Sequence, residues 1–534
     1  MFDVVIRHGT IIDGSGKPMF LGDLGIKEGR IVALGEVVGS TERLIDAEGA
    51  YVAPGFIDVN NHSDTYWALM ANPSLESLLY QGVTTVIGGN SGSSLAPLTR
   101  AEDIRSIQKW TNVDQINFNW LSMSEFLRAV EKRLPAVNFA TLVGHGTLRR
   151  GAMQDETRPI HDDEVQVMEK LLKESLHAGA LGLSTGLLYT HARGAHINEI
   201  SKLADLVHHE KGVYATYVRN EGAELVKAVE EAITVARKTQ VPLHISHLKA
   251  VGKAHWPLMD EVFNLIEAAA LADVDVSFDV YPYTTTGSVL YTFLPTWITE
   301  NGRKLMLARL RDEKVRRTVI AEMQKNDVDY SAMTLSVTNL GKMLTRRKVS
   351  DIALLQGKSP EEVVVDVLLA SEGRAIVSIE SLSEKNVRKA VQHPFSVISS
   401  NGSGYAKEHV ATGDLVHPRN FGTFPRIFAE YVRRQQSLSW EEAVHKMTGK
   451  PARKFGLKER GVLQVGNVAD ITIFLPGEIA DRATLEEPYQ YARGVDWLLV
   501  NGVVTIENGV YTGTRSGQVY RQSRGWWHGK NPFS

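Results

Sequence analysis

Val52-Ala-Pro-Gly-Phe-Ile-Asp-Val59 runs without a break into Asn60-Asn-His-Ser-Asp64, and the fold is read from this stretch. A mostly apolar strand ends in a cluster of polar side chains. Side chains at i and i+2 of a strand project from one face, so Asn60 and His62 are presented together. A strand ending in His-x-His offers zinc two nitrogen ligands in this way. In this chain an amide holds the first position and the second keeps its imidazole.

Working outward, apolar runs of strand length recur at 83–88, 139–144, 181–185, 213–218, 242–247, 276–281 and 395–400, which with 52–59 makes eight. Helical patterns lie between them at 162–176 and 223–237. In the second, Leu225, Val226, Val229, Ile233 and Ala236 share one face. Gly179 follows the first where a C-cap glycine belongs. Strands alternating with helices predict parallel pairing, and eight of them close a (β/α)8 barrel of TIM type, an α/β fold. The interval before the last strand is too long for one crossover. Residues 285–390 are therefore expected to form an inserted helical subdomain over the barrel mouth, with 303–325 a basic amphipathic stretch whose charges face solvent.

The two ends have a different texture. Short alternating strands at 3–7, 10–12, 23–27 and 30–34 are separated by Gly9, Asp13-Gly14 and Glu28-Gly29. The same pattern returns at 470–474, 497–500 and 503–506, with turns at Asn501-Gly502 and Asn508-Gly509. The expected organisation is a small β-sandwich from residues 1–51 plus 457–515, a barrel over 52–456, and a tail at 516–534. The tail carries Arg521, Arg524, Trp526, Trp527 and Lys530, suited to packing on the body or to a subunit contact, so a homo-oligomer stays open. There is no internal repeat or low-complexity segment.

The chain has 534 residues, 43% hydrophobic and 23% charged, an ordinary globular composition. Its net charge of −3, from 59 basic and 62 acidic residues, lacks the basic excess of nucleic-acid or membrane-surface binders. No apolar run has spanning length, and Met1-Phe-Asp-Val-Val-Ile-Arg7 reads as a strand rather than a signal peptide, so a cytoplasmic location is expected. The absence of cysteine excludes disulfides, thiolate zinc sites and cysteine nucleophiles.

Chemistry in such barrels sits at the C-terminal strand ends. In order these ends carry Asn60, His62 and Asp64; Asn90 and Ser91; His145; Ser184 and Thr185; Tyr217 and Arg219; His247 and Lys249; Tyr281 and Tyr283; and Asn401. One polar residue at a strand end is usually a loop anchor, but so many converging on one face mark a pocket. Ser91 with His62 or His247 could form a serine–histidine pair, although Gly89-Asn-Ser-Gly92 matches no nucleophile elbow. His196, His208, His209, His255, His393, His409 and His445 read most simply as surface or loop histidines.

Several ordered motifs carry a family resemblance. They include Gly29-Arg-Ile-Val-Ala-Leu-Gly35, Gly82-Val-Thr-Thr-Val86, Val143-Gly-His-Gly-Thr-Leu148 and Gly179-Ala-Leu-Gly-Leu-Ser-Thr-Gly-Leu187. They continue with Ile245-Ser-His-Leu-Lys249, Asp279-Val-Tyr-Pro-Tyr283, His417-Pro-Arg-Asn-Phe-Gly-Thr-Phe-Pro-Arg426 and Lys446-Met-Thr-Gly-Lys-Pro-Ala452. Over nearly its whole length the chain resembles the D-aminoacylase (N-acyl-D-amino-acid deacylase) branch of the amidohydrolase superfamily.

The resemblance implies a metal site that this chain has largely lost. The family pattern places a histidine where Asn60 stands, a bridging cysteine at Ser91, a histidine at Tyr217 and an aspartate at Asn401; His62 and His247 match. Asn60 offers only a neutral amide oxygen, Ser91 a hydroxyl that is hard to ionise, and Tyr217 a phenol with an ordinary pKa of ~10. Asn401 cannot serve as a general base. Leu181-Gly-Leu-Ser-Thr185 supplies no carboxylated lysine either. No metal or other cofactor is expected.

By the same resemblance Lys249, Tyr281 and Arg419 match residues that hold the substrate carboxylate, and an ammonium, a phenol and a guanidinium suit that task. Ser288 and His145 are counted with them as substrate-binding candidates, His145 being otherwise structural or pocket-lining. The expected function is an enzyme acting without the binuclear centre on an N-acyl or amide-bearing small carboxylic acid. Acid–base chemistry would come from His62, His247, Tyr217 and Asn401, with Ser91 and Asn60 in the same site. Two rival expectations are a pseudoenzyme with a binding or scaffolding role, and a weak single-metal N-acyl-D-amino-acid deacylase around His62 and His247.

Overall fold

Eight parallel strands form the barrel: Phe56–Asp58, Val83–Gly88, Asn138–Thr141 continued by Val143–Gly144, Gly182–Gly186, Val213–Tyr217, Leu243–Ile245, Val276–Val280 and Ser396–Ile398. Seven coincide with apolar runs read from the sequence, whereas the run at 52–59 is divided: Tyr51–Pro54 joins the terminal sheet and only Phe56–Asp58 the barrel, a correction to the boundary at residue 52. This architecture comes from a computed structural model that describes residues 1–523 apart from 108–110, 112, 114–116, 155, 157, 301, 327, 339 and 341–343.

The first and eighth strands meet at a parallel bridge between Asn61 and Gly402, where the His62 amide donates to the Gly402 carbonyl at 2.7 Å. Asp58, fully buried, fixes this seam. It accepts from the Ser400 amide and the Asn61 side chain, each at 2.9 Å, and from the Ser400 hydroxyl. Outside the strands, amphipathic helices such as Asp162–His177 and Leu225–Thr239 press Val165, Leu172, Leu176, Val229, Ile233 and Ala236 inward. One extended apolar core joins them to the strands.

Both termini contribute to the β-sandwich, hydrogen-bonded as one nine-stranded sheet. Phe2–Ile11 pairs with Phe20–Lys27, Thr41–Asp46 and Tyr51–Pro54, and Tyr51–Pro54 pairs antiparallel with Ile471–Phe474. Ile6, Ile26, Ile31, Ile45, Ile471, Ile473 and Leu499 share its core. The sandwich passes to the barrel through Gly55, where a Cβ would lie 2.1 Å from the Thr84 hydroxyl. Only glycine fits so close an approach.

Between the seventh and eighth strands, the expected helices are present: Arg303–Arg311, Glu313–Met323, Val349–Gln356 and Pro360–Ala370. The basic stretch is two helices, because Asp312 caps the second by accepting from the amides of Lys314 and Val315. A purely helical insertion is corrected, however. Thr285–Val289, Ala375–Glu380 and Met333–Thr338 form a three-stranded antiparallel sheet with Ala375–Glu380 in the centre.

The start of the tail packs on the body. The amides of Gly517, Tyr520 and Gln522 donate to the carbonyls of Pro135, Phe139 and Gly179 at 2.9, 2.8 and 3.1 Å, and Arg521 pairs with Glu131. Arg524, Trp526, Trp527 and Lys530 lie outside the described residues. No described helix is long and apolar enough to cross a membrane.

Replacing Asp58 by alanine strands buried donors on Ser400 and Asn61. At roughly 1–3 kcal/mol for each unpaired group, the variant should lose roughly 3 kcal/mol or more of unfolding free energy. Urea denaturation checks this, and an unchanged midpoint would refute the seam's role.

Candidate active site

The barrel strands end on a cavity of ≈ 480 Å³. His62, Ser91, Tyr217, His247, Lys249, Tyr281, Asn401 and Arg419 line its barrel side; Ser288, Phe293, Leu294 and Val328 of the insertion face them. Asn60 lies behind this wall, fully buried, with its amide nitrogen 3.3 and 3.4 Å from the Asp279 oxygens. Asp279 also accepts hydrogen bonds from His244 Nε2 at 3.0 Å and from the Ser399 hydroxyl. Burial raises its carboxyl pKa, but His244 and these hydrogen bonds prevail and hold it below the usual range.

Three of the lining residues end their strands in left-handed backbone: Ser91 at φ 53°, His247 at 37° and Asn401 at 46°. Such conformations cost non-glycine residues roughly 1–3 kcal/mol and gather at functional sites. Ser184 stabilises the turn that carries Ser91, accepting from the Gly92 amide at 3.1 Å and donating to the Gly89 carbonyl. Asp64 binds the Gly89 amide at 2.7 Å.

His62 donates from Nε2 to Asn401 Oδ1 at 2.9 Å. Burial, against that hydrogen bond, depresses its pKa to about 3, so the ring is neutral. His247 is likewise lowered, first by burial and then by the Lys249 charge. Its ring packs edge-on to Tyr217, with centroids 4.3 Å apart. Lys249 forms an ion pair with Glu221, and the Tyr217 hydroxyl donates to the other Glu221 oxygen at 3.3 Å. Burial and the Glu221 charge push the Tyr217 phenol well above its ordinary pKa.

Opposite this group stands Arg419, only 8% exposed, with its guanidinium 5.0 Å from the centre of the Tyr281 ring. Its Nε and one terminal nitrogen, like the Tyr281 hydroxyl, are buried and make no hydrogen bond to the described residues. His417 sets the position of Arg419. It accepts the Arg419 amide at Nδ1 (3.0 Å) and donates from Nε2 to the Thr285 carbonyl (3.1 Å).

A family model described as the amidohydrolase family matches residues 43–506. This chain belongs to the amidohydrolase family. Within it, the chain falls in the D-aminoacylase branch and is a hydrolase. It is 34% identical to the D-aminoacylase of Alcaligenes xylosoxydans xylosoxydans over 519 residues, 97% of each chain. A D-aminoacylase structure described for its binuclear metal centre, with one-metal activation and second-metal attenuation, matches with a TM-score of 0.83 and 34% identity. That match covers 98% of this chain and 100% of the other. The N-acyl-D-glutamate deacylase of Bordetella bronchiseptica, complexed with zinc and a phosphonate inhibitor, matches with a TM-score of 0.82 and 30% identity, over 98% of this chain and 100% of the other.

The amidohydrolase side chains do not fit a binuclear centre. Tyr217 stays a protonated phenol, Asn60 and Asn401 are neutral amides, and the Asn401 oxygen already accepts from His62. Among the described residues no three histidine, aspartate or glutamate side chains converge to hold an ion.

Of the residues named from sequence, the cavity gathers His62, Ser91, Tyr217, His247, Lys249, Tyr281, Ser288, Asn401 and Arg419. His145 does not line it. Fully buried, it binds Glu199 at 2.8 Å in a cluster with Arg149, which supports its structural reading. Arg219 is a staple that grips Glu231 and the carbonyls of Arg193 and Ala195. Of the histidines read as surface or loop residues, His255 lines the cavity, and His393, in the loop before the eighth strand, is 7% exposed and stacked on Phe263. Sequence reading missed Glu221, whose one visible signal is an acid four positions beyond a strand-end tyrosine.

These pKa shifts give stability a definite pH dependence. Unfolded histidines titrate near ~6.5, whereas His62, His145, His244, His247 and His417 are all depressed by burial. Their contribution is full above pH ~6.5 and is lost as pH falls toward the lowered folded values. Asp58 and Asp64, raised by burial to about 6, act oppositely, losing their contribution as pH rises through about 6. The five histidines outweigh the two carboxyls, so unfolding free energy should fall between pH 7 and 5. His62→Gln should make that slope shallower by up to about one proton. Denaturant titrations at several pH values measure both effects, and a flat profile would contradict the neutral buried imidazoles.

Proposed function

We propose that this amidohydrolase acts on a small carboxylic acid bearing an N-acyl or other amide group, of the N-acyl-D-amino-acid kind, without a binuclear metal centre. The carrying observation is the Arg419–Tyr281 pair. A buried guanidinium with unused donors lies over a phenol whose hydroxyl is also unpartnered among the described residues. Burying charge without a counter-ion is costly, and a substrate carboxylate would supply one in bidentate geometry. The D-aminoacylase and N-acyl-D-glutamate deacylase relatives support the same substrate class.

Lys249 was expected in this cradle, but Glu221 already takes its charge, so the carboxylate falls to Arg419 and Tyr281. With the carboxylate there, the acyl group extends toward His62, His247, Tyr217 and Asn401. Positioned acid–base groups supply roughly 10²–10⁴-fold and fixed hydrogen-bond donors roughly 10²–10³-fold. Nothing in this set lowers the pKa of a water as zinc does, from ~15.7 to ~7. Activated acyl groups should therefore react more readily than plain amides.

One observation favours a second reading, a single-metal deacylase. His62 and His247 both line the cavity as neutral imidazoles, the form that ligates zinc. Elemental analysis after dialysis without chelator separates the two. The first reading expects well under one zinc per chain; one retained ion on which turnover depends would replace it with the second.

Arg419→Ala should weaken binding of the best ligand from a panel of N-acyl-D-amino acids by roughly 2–5 kcal/mol, the range for truncating one partner of a buried charge pair. Calorimetry on a variant with native circular dichroism measures this. Unchanged affinity would remove the carboxylate cradle.

A further inference from the structure

We propose that Glu221 and Lys249 lock the proton of His247 onto Nε2, so that the ring faces the cavity as a hydrogen-bond donor rather than as a lone-pair ligand. The argument is one of donors and acceptors. A lysine ammonium has three donors and no acceptor. Lys249 spends all three: on Glu221 Oε1, on His247 Nδ1 at 2.9 Å and on the His247 carbonyl at 3.1 Å. Its charge also lies 5.5 Å from the centre of the Tyr217 ring, a cation–π contact. Nδ1 of His247 must therefore accept, and a neutral imidazole that accepts at Nδ1 carries its proton at Nε2.

The rest of the network fits this arrangement. Glu221 is paired at both oxygens, with Lys249 on Oε1 and the Tyr217 hydroxyl on Oε2 at 3.3 Å. Burial raises its carboxyl pKa, but the charges and hydrogen bonds of Lys249 and His247 together outweigh this and hold it below the usual range, so it remains a carboxylate. Oε1 also lies 3.2 Å from His247 Nδ1. The three atoms form a triangle, with the lysine nitrogen beside the Nδ1–Oε1 line and nearer to Nδ1 than the carboxylate is. His247 Nε2 makes no hydrogen bond to any described residue, and the ring lines the cavity.

The arrangement inverts what a zinc-binding histidine requires. There the outer nitrogen donates to a carboxylate, which leaves the inner nitrogen's lone pair for the metal. Glu221 Oε1 could accept such a proton at 3.2 Å, but the shorter contact to Nδ1, at 2.9 Å, comes from Lys249, which can only donate. The chain thus turns a ligand position into a donor able to polarise a substrate carbonyl oxygen. That last role rests on the proposed function, whereas the lock itself does not. Glu221 and Lys249 are positioning residues, acting through His247.

The test is long-range ¹H–¹⁵N NMR on the full-length protein labelled at histidine nitrogens, with His247 assigned by its loss in His247→Gln. The expected spectrum shows a protonated Nε2 and an unprotonated, hydrogen-bonded Nδ1. Lys249→Met should flip the tautomer, since Glu221 then accepts directly from Nδ1, and Lys249→Arg should restore the wild-type pattern. A wild-type spectrum with the proton on Nδ1, or with both nitrogens protonated, overturns the proposal, as does a Lys249→Met protein that keeps the Nε2 proton. Should Lys249→Met fail to fold, the wild-type spectrum alone decides. If no N-acyl acid binds the protein, the proposed function fails while the spectrum still decides the lock.

Discussion

The barrel closes where its first and last strands meet, and the candidate site is built on that closure. Asp58 gathers Asn61 and Ser400, and the His62 amide reaches across to Gly402. The same few residues place buried Asn60 and His62 beside half-buried Asn401. Pairing His62 Nε2 with Asn401 Oδ1 is therefore a consequence of ring closure as much as of local chemistry. A parallel barrel leaves its strand-end side chains no other direction to converge, so amides and hydroxyls at these ends leave the assembly of the site undisturbed.

Charge distribution follows from the same burial. A binuclear site places dications among its ligands; this one contains an ion pair, two amides and several neutral rings instead. Each acid in the wall has answering donors: Asp279 has Asn60, His244 and Ser399, and Glu221 has Lys249 and Tyr217. Arg419 differs, since its guanidinium is buried with two nitrogens unbonded by described residues. In a low-dielectric cavity unpaired charge is expensive unless a ligand completes it. That asymmetry makes this end of the cavity the natural anchor for an anion.

Much of this was legible in the sequence. All the barrel strands stood out because each is an apolar run buried on both faces, and the paired termini stood out through short strands broken by glycine-containing turns. The first strand of the insertion's sheet was not legible. Thr285-Thr-Gly-Ser-Val289 has small polar side chains and no alternation, so nothing local marks it as a strand. The site was legible as a set of positions but not as a set of bonds. Lys249 was read as a holder of the substrate carboxylate because its partner, Glu221, lies on another strand end, and side-chain pairing across strands leaves no periodic trace. His145 misled for the opposite reason: it stands at a strand end, yet it opens the helix that carries Arg149, and Glu199 of the helix Ile197–His209 binds both.

The insertion leaves the barrel just beyond Tyr283 and returns before Ser396, and in between it supplies Ser288, Phe293, Leu294 and Val328 to the cavity. The reactive-looking groups are scattered over most of the strands, but this whole facing wall is a single contiguous length of chain. Fit to a ligand is thus inheritable as a cassette. A recombination event with both crossovers between the seventh and eighth strands would exchange the shape of the chamber in one step. The amides, imidazoles and ion pair beneath it would descend unaltered from the parent barrel.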